Sequence, residues 1–247
     1  MSLTPDEIAF ANSLVIHRDD HVLALDKPPG LSSQGGRGQH RTLDDLLAAF
    51  AKPSGRKPQL VHRLDRDTSG VILAARSQPA ASFLGKALMA RRFKKTYLAL
   101  VGGPLIPEAG EIDTPLRREE QGREAWSRPA AAEHPDAQPA LTRYRTLTAN
   151  PRAALLELEP VTGRMHQLRA HLAHLGRPIL GDARYGGALA FEAAPVPRLM
   201  LHARSLSFPH PEGGVRRFEA PLPRDVLFML DAADLRYDAG LSGASSL

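Results

Sequence analysis

Residues 60–75 read Leu60-Val61-His62-Arg63-Leu64-Asp65-Arg66-Asp67-Thr68-Ser69-Gly70-Val71-Ile72-Leu73-Ala74-Ala75, the densest cluster of reactive side chains in the sequence, running straight into an unbroken apolar stretch. Consecutive apolar residues behind a turn signal predict a buried strand over Val71–Ala75. The charged stretch ahead of it is then a loop held by a rigid element, where chemistry is commonly sited. Thr68-Ser69-Gly70 can close a turn through hydroxyl-to-backbone hydrogen bonds, and Gly70 permits close backbone approach, so Asp65 would be held in place. In an arbitrary loop, Asp65 and Asp67 would cap the turn and Arg63 and Arg66 would form surface ion pairs.

Working outward, Val22-Leu23-Ala24-Leu25 reads as a strand ending at Asp26-Lys27-Pro28-Pro29-Gly30, where two prolines and a glycine stop any regular element. Ser32 to Arg41 carries Gly35, Gly36 and Gly38 without the Gly-Lys-Ser/Thr ending of a nucleotide P-loop, and is expected to be a flexible loop. Thr42, with Asp45 three positions on, can cap a helix over Leu43–Phe50. Helical spacing returns over Ala80–Arg92 and over His166–Leu175, the latter ended by Gly176. Strands are expected at Thr96–Val101, Thr142–Thr148, Leu155–Val161, Leu199–Phe208 and Arg217–Ala220.

Between Glu119 and Pro139 the chain is polar, Pro-rich and Ala-rich with no sustained period, which predicts a long surface excursion inside the domain. Runs of strands with irregularly placed helices indicate an α+β fold: one domain over residues 15–236, with a mixed, mainly antiparallel sheet and flanking helices. Residues 1–14 read as an N-terminal extension and 237–247 as a flexible Gly/Ser-rich tail.

The composition suits such a domain. In 247 residues, 43% are hydrophobic and 24% charged, and there is no cysteine. Disulfides, thiolate nucleophiles and cysteine-ligated metal sites are therefore excluded. The N-terminus carries no basic stretch followed by an apolar run, and no segment approaches the ~20 apolar residues of a membrane span, so a cytoplasmic protein with no membrane association is expected. A formal charge of +5 and a pI near 9.8 favour a polyanionic partner, since clustered cations gain affinity by releasing counterions from phosphates. The excess of arginine over lysine suits bidentate phosphate recognition; together with abundant alanine, it is equally explained by genome composition.

His62-Arg63-Leu64-Asp65 followed by Thr68-Ser69-Gly70 resembles the central motif of the RluA-type pseudouridine synthases. Further matches follow in family order: Asp26-Lys27-Pro28-Pro29-Gly30-Leu31, Lys94-Lys95-Thr96-Tyr97, and Thr162-Gly163-Arg164-Met165-His166-Gln167-Leu168-Arg169-Ala170-His171. Gly176-Arg177-Pro178-Ile179-Leu180-Gly181-Asp182 with Tyr185-Gly186, and Leu201-His202-Ala203 ending in His210-Pro211, are also similar to family elements. The resemblance covers roughly Val15 to Pro223. It departs at the 119–139 segment and at Met165, where a small polar residue is commoner, and no separate N-terminal RNA-binding module of the S4 type is visible.

The resemblance implies isomerisation of specific uridines in structured rRNA or tRNA, by a cofactor-independent, metal-free monomer with a central RNA-binding cleft. It assigns the catalytic carboxylate to Asp65, its cationic partner to Arg169, and a flat face for the target base to Tyr97. Arg164 competes with Arg169 for the pairing. Arg63 matches the position from which the family inserts a planar cation into the gap left by the extruded base. Arg91, Arg92, Lys94 and Lys95 form a basic run that would hold the RNA backbone or simply be a solvated helix end; Arg164 and His166 are grouped as RNA-binding residues, Leu201 would give an apolar contact near the base or belong to the core, and His62, grouped with them, suits a structural role better.

Two rivals compete with this reading. A metal-dependent hydrolase would use His166, His171 and His174 with Asp65 or Asp182, but His-Glu-x-x-His is absent and His166 and His171 lie five apart on a helix, on different faces. A catalytically dead RNA-binding or assembly protein would not need the complete set of Asp65, Tyr97 and Arg169.

Overall fold

A computed structural model describes residues 3–35, 41–122, 124–192 and 194–238. Of the loop expected to be flexible over Ser32–Arg41, residues 36–40 lie outside the described residues, as does most of the expected C-terminal tail. In chain order the elements are α1 (Pro5–Ser13), β1 (Val15–Arg18), β2 (Val22–Lys27), α2 (Leu43–Leu46, continued by a 3-10 turn over Leu47–Phe50), β3 (Gln59–Leu60), β4 (Ser69–Ala75), α3 (Gln78–Met89) and β5 (Lys94–Gly102). There follow β6 (Ala109–Asp113), β7 (Leu116–Gln121), β8 (Glu124–Pro129), β9 (Leu141–Ala149), β10 (Ala153–Pro160), α4 (Gln167–His174), β11 (Ala190–Phe191), β12 (Ala194–Pro195), β13 (Leu201–Pro209), β14 (Val215–Glu219) and α5 (Arg224–Ala232).

Every residue of β4 is buried, and its alternation divides the apolar run between two cores. Ile72 and Ala74 enter the larger core, while Val71, Leu73 and Ala75 enter a smaller one shared with Ala80 and Leu84 of α3. A strand covered on both faces has no polar side to reveal its period, which is why the stretch is continuously apolar. The main sheet runs β1-β2-β4-β13-β5-β10-β9-β6, with β3 added to β4 and β14 to β13. Among the described residues only the β4–β13 pairing is parallel, and it is very short, joining Ser69 to His202 and Gly70 to Ala203. The fold is thus α+β with a mixed, mainly antiparallel sheet, as expected, and the parallel joint unites its two halves beneath the Asp65 loop.

Two expectations need correction. Residues 5–14 do not stand apart from the domain: α1, opened by a Thr4–Glu7 capping box, buries Ala11 and Leu14 in the larger core, and Glu7 pairs with Arg41. The 119–139 excursion begins as a regular hairpin, β7 with β8. Few of its side chains are apolar and covered: Leu116 and, in part, Trp126 join Tyr185, Ala140 and Ala170 in a satellite cluster. Exposed ion pairs such as Arg118–Glu120 at 2.7 Å lie along β7. So little apolar surface leaves no period-2 signal to read.

The capping box at Thr42, by contrast, forms as predicted, with Thr42 and Asp45 bonding each other's backbone. No helix among the described residues is long and apolar enough to cross a membrane.

Candidate active site

The Asp65 loop is held from below by the sheet joint. Gly70 has φ 113°, and a Cβ there would lie 2.2 Å from the Ala203 carbonyl oxygen, so only glycine lets the two strands meet. The Ser69 hydroxyl donates to His202 Nδ1 at 3.0 Å, and His202 Nε2 faces the Ala220 carbonyl at 3.4 Å. Burial lowers the His202 pKa to about 4, so the ring is neutral and one nitrogen serves as donor and the other as acceptor.

Two more buried side chains grip the backbone on either side of Asp65. Leu64 N–H donates to Ser33 Oγ at 3.0 Å, and Ser33 Oγ–H donates back to the Leu64 carbonyl at 2.7 Å. The Lys27 ammonium, with no exposed surface, donates to the carbonyls of Pro28, Leu31 and Arg66 at 2.9, 2.7 and 2.9 Å. Burial lowers its pKa to about 8 against the attraction of Asp67 and then Asp65. Lys27 therefore ties the Pro-Pro-Gly turn to the Asp65 loop, a role its quoted motif did not reveal. His62 is buried, its Nε2 accepting from Leu73 N–H at 3.2 Å. Burial, then the charge of Lys95, lowers its pKa to about 3, so it does not meet a phosphate as a cation.

The second loop, 162–169, is fastened by side chains. Gln167 Oε1 accepts from the Thr162 hydroxyl at 2.7 Å and Arg164 N–H at 3.0 Å, while Nε2 donates to the Leu141 carbonyl at 2.9 Å and Thr142 Oγ1 at 3.0 Å. α4 then begins at once and presents Arg169. Its guanidinium forms two 2.8 Å bonds to Asp182 and one of 3.2 Å to Asp65 Oδ2. Burial opposes the charge, but the hydrogen bonds and charge of Asp182, then Asp65, prevail and raise the Arg169 pKa. Asp182 is fixed by its turn: Gly181 has φ 78°, and a Cβ there would lie 1.8 Å from the Arg198 carbonyl oxygen.

His166 Nε2 stands 3.8 Å from the same Asp65 Oδ2. Among the described residues Asp65 Oδ1 accepts no hydrogen bond, so this oxygen is left for an incoming group. Of the two arginines that competed for the pairing, Arg169 touches Asp65; Arg164 donates instead to the Pro139 carbonyl at 3.0 Å. His171 points away from the site, toward Thr142 Oγ1 at 2.9 Å and the Thr114 carbonyl at 3.0 Å. It does not converge with His166, and the hydrolase constellation is not assembled.

Asp65, Tyr97, Arg169, Leu201, Arg63, Lys95, Arg164 and His166 all line one small cavity of about 130 Å³. It adjoins a cleft of about 1030 Å³, whose walls include His62, Arg63, Arg66, Arg91 and Lys95. Lys94 is exposed and lies outside both cavities. Tyr97, only 9% exposed, sits between Ala203 of β13 and Leu158 of β10, and burial, then Asp65, raises its pKa. Its phenol is therefore neutral, and Leu201, also buried, supplies apolar wall. Burial lowers the Lys95 pKa. Asp182, Tyr185 and Ser33 also support the site's geometry: Asp182 and Tyr185 stand in matched motifs, Asp182 considered only as a ligand in the rival hydrolase and Tyr185 given no role, and Ser33 carried no signal.

Residues 21–174 match the model of the RNA pseudouridylate synthase family. The chain is 36% identical over 209 residues to a ribosomal large subunit pseudouridine synthase C of Vibrio cholerae, spanning 83% of this chain and 64% of that protein. It is 37% identical over 223 residues to the synthase C of Escherichia coli, spanning 87% and 68%. It thus covers about two thirds of these relatives' length. Among solved structures, human RNA pseudouridylate synthase domain containing 4 superposes with a TM-score of 0.79 at 28% identity, over 94% of this chain and 98% of that one. A shared fold, motifs in one order and Asp65 at the centre of a joint assembled by those motifs have one common explanation: the chain belongs to the RNA pseudouridylate synthase family, in its RluA-type branch.

Proposed function

We propose that this chain isomerises specific uridines of large-subunit ribosomal RNA to pseudouridine, with Asp65 as the carboxylate that begins the reaction. The observation that carries the reading is Asp65 itself: half-buried, paired through Oδ2 to Arg169 at 3.2 Å, and set in a small cavity beside a basic cleft. Ribosomal RNA is favoured over tRNA because the relatives are named for the large ribosomal subunit.

The reaction breaks the N1–C1′ glycosidic bond, turns the uracil, joins C5 to C1′ and releases the C5 proton while N1 takes one up, with no net redox change. Attack on the ribose, addition to the base and removal of a ribose proton all need an ionised carboxylate, and Arg169 places a cation 3.2 Å from its Oδ2. Tyr97 offers its ring to the uracil and Leu201 an apolar contact. A uridine in a folded RNA is reached only by extrusion, which costs a few kcal/mol of stacking and pairing. Exposed Arg63, lining both cavities, fills the gap, and Lys94, Lys95, Arg164 and His166 hold the flanking backbone. The protein acts as a monomer in the cytoplasm, without metal or nucleotide cofactor.

The test is to map pseudouridine in total RNA from cells with and without the gene, then to repeat the reaction with purified protein and an unmodified large-subunit rRNA transcript. Loss of specific rRNA pseudouridines on deletion, restored in vitro, is the expected result. Missing tRNA sites with intact rRNA would overturn the substrate, and unchanged RNA would overturn the activity.

A further inference from the structure

The β7–β8 hairpin, which none of the matched motifs covers, is joined to the site by a chain of hydrogen bonds. Ser127 N–H donates to the Tyr185 hydroxyl oxygen at 2.8 Å, and the Ser127 hydroxyl donates to the Met165 carbonyl. The Tyr185 oxygen in turn lies 3.1 Å from His166 Nδ1. With that oxygen accepting from Ser127, its own hydrogen is available for donation to His166 Nδ1. Burial raises the Tyr185 pKa, so the hydroxyl keeps this hydrogen.

We propose that Tyr185, anchored by Ser127, is a positioning residue that holds His166 in the tautomer with Nδ1 bare and the proton on Nε2, directed at Asp65 Oδ2. A neutral imidazole has one donor and one acceptor nitrogen; a donor at Nδ1 forces the proton to Nε2. Burial, reinforced by Arg169 and Arg184 and opposed by Asp65 and Asp182, lowers the His166 pKa and keeps the ring neutral. His166 also bears a left-handed backbone, φ 50°, at the N-cap of α4, a strained conformation for a residue with a side chain. The Tyr185 ring stands edge-on to the imidazole at 5.7 Å and beneath Arg169 at 5.0 Å, so one tyrosine orients both groups that approach Oδ2. The 3.8 Å from Nε2 to Oδ2 is long for a hydrogen bond, and such contacts commonly tighten when substrate binds. With Arg169 and His166 both on Oδ2, Oδ1 is the oxygen presented to the uridine.

This inference rests on Asp65 being the reactive carboxylate, and its test separates the two. Nitrogen-15 NMR of histidine-labelled wild-type protein is expected to show His166 as a single Nε2–H tautomer, and Tyr185→Phe, which keeps the ring, is expected to lose that single state. On an unmodified large-subunit rRNA transcript, Tyr185→Phe and His166→Ala should each lower the single-turnover rate about tenfold, the loss of roughly one hydrogen bond, with RNA affinity unchanged in Tyr185→Phe. His166→Gln, which restores an N–H at the same reach, should recover most of the rate. The double variant should be no slower than His166→Ala, because both changes remove one interaction. An Nδ1–H signal in the wild type, additive losses, or a wild-type rate for His166→Ala would overturn the proposal. A wild-type protein that binds the transcript without isomerising it would overturn the reading of Asp65, while the spectrum would still decide the tautomer.

Discussion

The two loops that meet at Asp65 are built by opposite means. The 62–70 loop is gripped through its backbone by buried groups: the Lys27 ammonium, the Ser33 hydroxyl and the Gly70–Ala203 contact. The 162–169 loop is gripped through its side chains, Gln167 to β9 and Arg169 to Asp182. Backbone clamps in a core give rigidity and are costly to remove. Side-chain networks place charge, so their loss acts first on chemistry. The site needs both, because a carboxylate held still reacts usefully only if its charge state and free oxygen are also set.

The largest effect separates chemistry from scaffold. Asp65→Asn is expected to lower single-turnover pseudouridine formation at least ~10³-fold while the thermal melt stays near wild type, because Asn preserves shape. Asp67→Asn, in the same loop, should keep most activity. Appreciable turnover by a folded Asp65→Asn protein would remove Asp65 from the chemistry.

Next come the clamps, where the comparison predicts loss of stability. Gly70→Ala places a Cβ against the Ala203 backbone and is expected to prevent folding or to cost more than ~3 kcal/mol. Lys27→Met removes the ammonium that three carbonyls share, leaving them at best partly solvated, and is expected to cost about 3 kcal/mol in denaturant unfolding. A change under ~1 kcal/mol for Lys27→Met would mean that the carbonyls find other partners and that the loops do not differ as described.

Acid should act through the same scaffold. His202, beneath Ser69, and His62 titrate near 6.5 when unfolded but at about 4 and about 3 when folded. The unfolded chain therefore takes up protons first, and the stabilisation, fully present above pH 6.5, is lost as pH falls toward 4. Unfolding free energies measured from pH 7.5 to 4 should fall across this window, less steeply in a folded His202→Gln variant. A flat profile would show that neither ring is held neutral.

The smallest effect concerns Tyr97. Tyr97→Phe should change RNA affinity and rate by no more than a few-fold, whereas Tyr97→Ala should lose about 1–3 kcal/mol of binding, the worth of one base–ring stack. Equal, negligible changes in fluorescence-monitored affinity would leave Tyr97 as core alone.

How much of this was legible in the sequence follows from the range of the forces involved. Apolar runs dictated β2, β4, β5, β9, β10 and β13, because burial of alternate or successive side chains leaves a periodic record. The Thr42–Asp45 capping box was readable because its partners are three residues apart. Resemblance to a known motif singled out the 62–70 loop and most of the residues that share the small cavity. The β7–β8 hairpin leaves no such record because few of its side chains are apolar and covered, and α1 leaves little because its buried face is little more than Ala11 and Leu14.

Tertiary structure decided the rest. That Arg169 and not Arg164 meets Asp65 depends on a contact across 104 residues of chain, and spacing alone allowed either. Asp182 orders Arg169, Lys27 braces Arg66, and Ser127 reaches Tyr185 only because the sheet joint and α4 bring distant loops within hydrogen-bond distance. The sequence by itself determined the strongly apolar strands, the Thr42 cap and the motif-bearing Asp65 loop, all written in neighbours along the chain. Which oxygen of Asp65 is held and which is offered was decided by folding alone, because hydrogen bonds act over about 3 Å in space, whatever the separation along the chain.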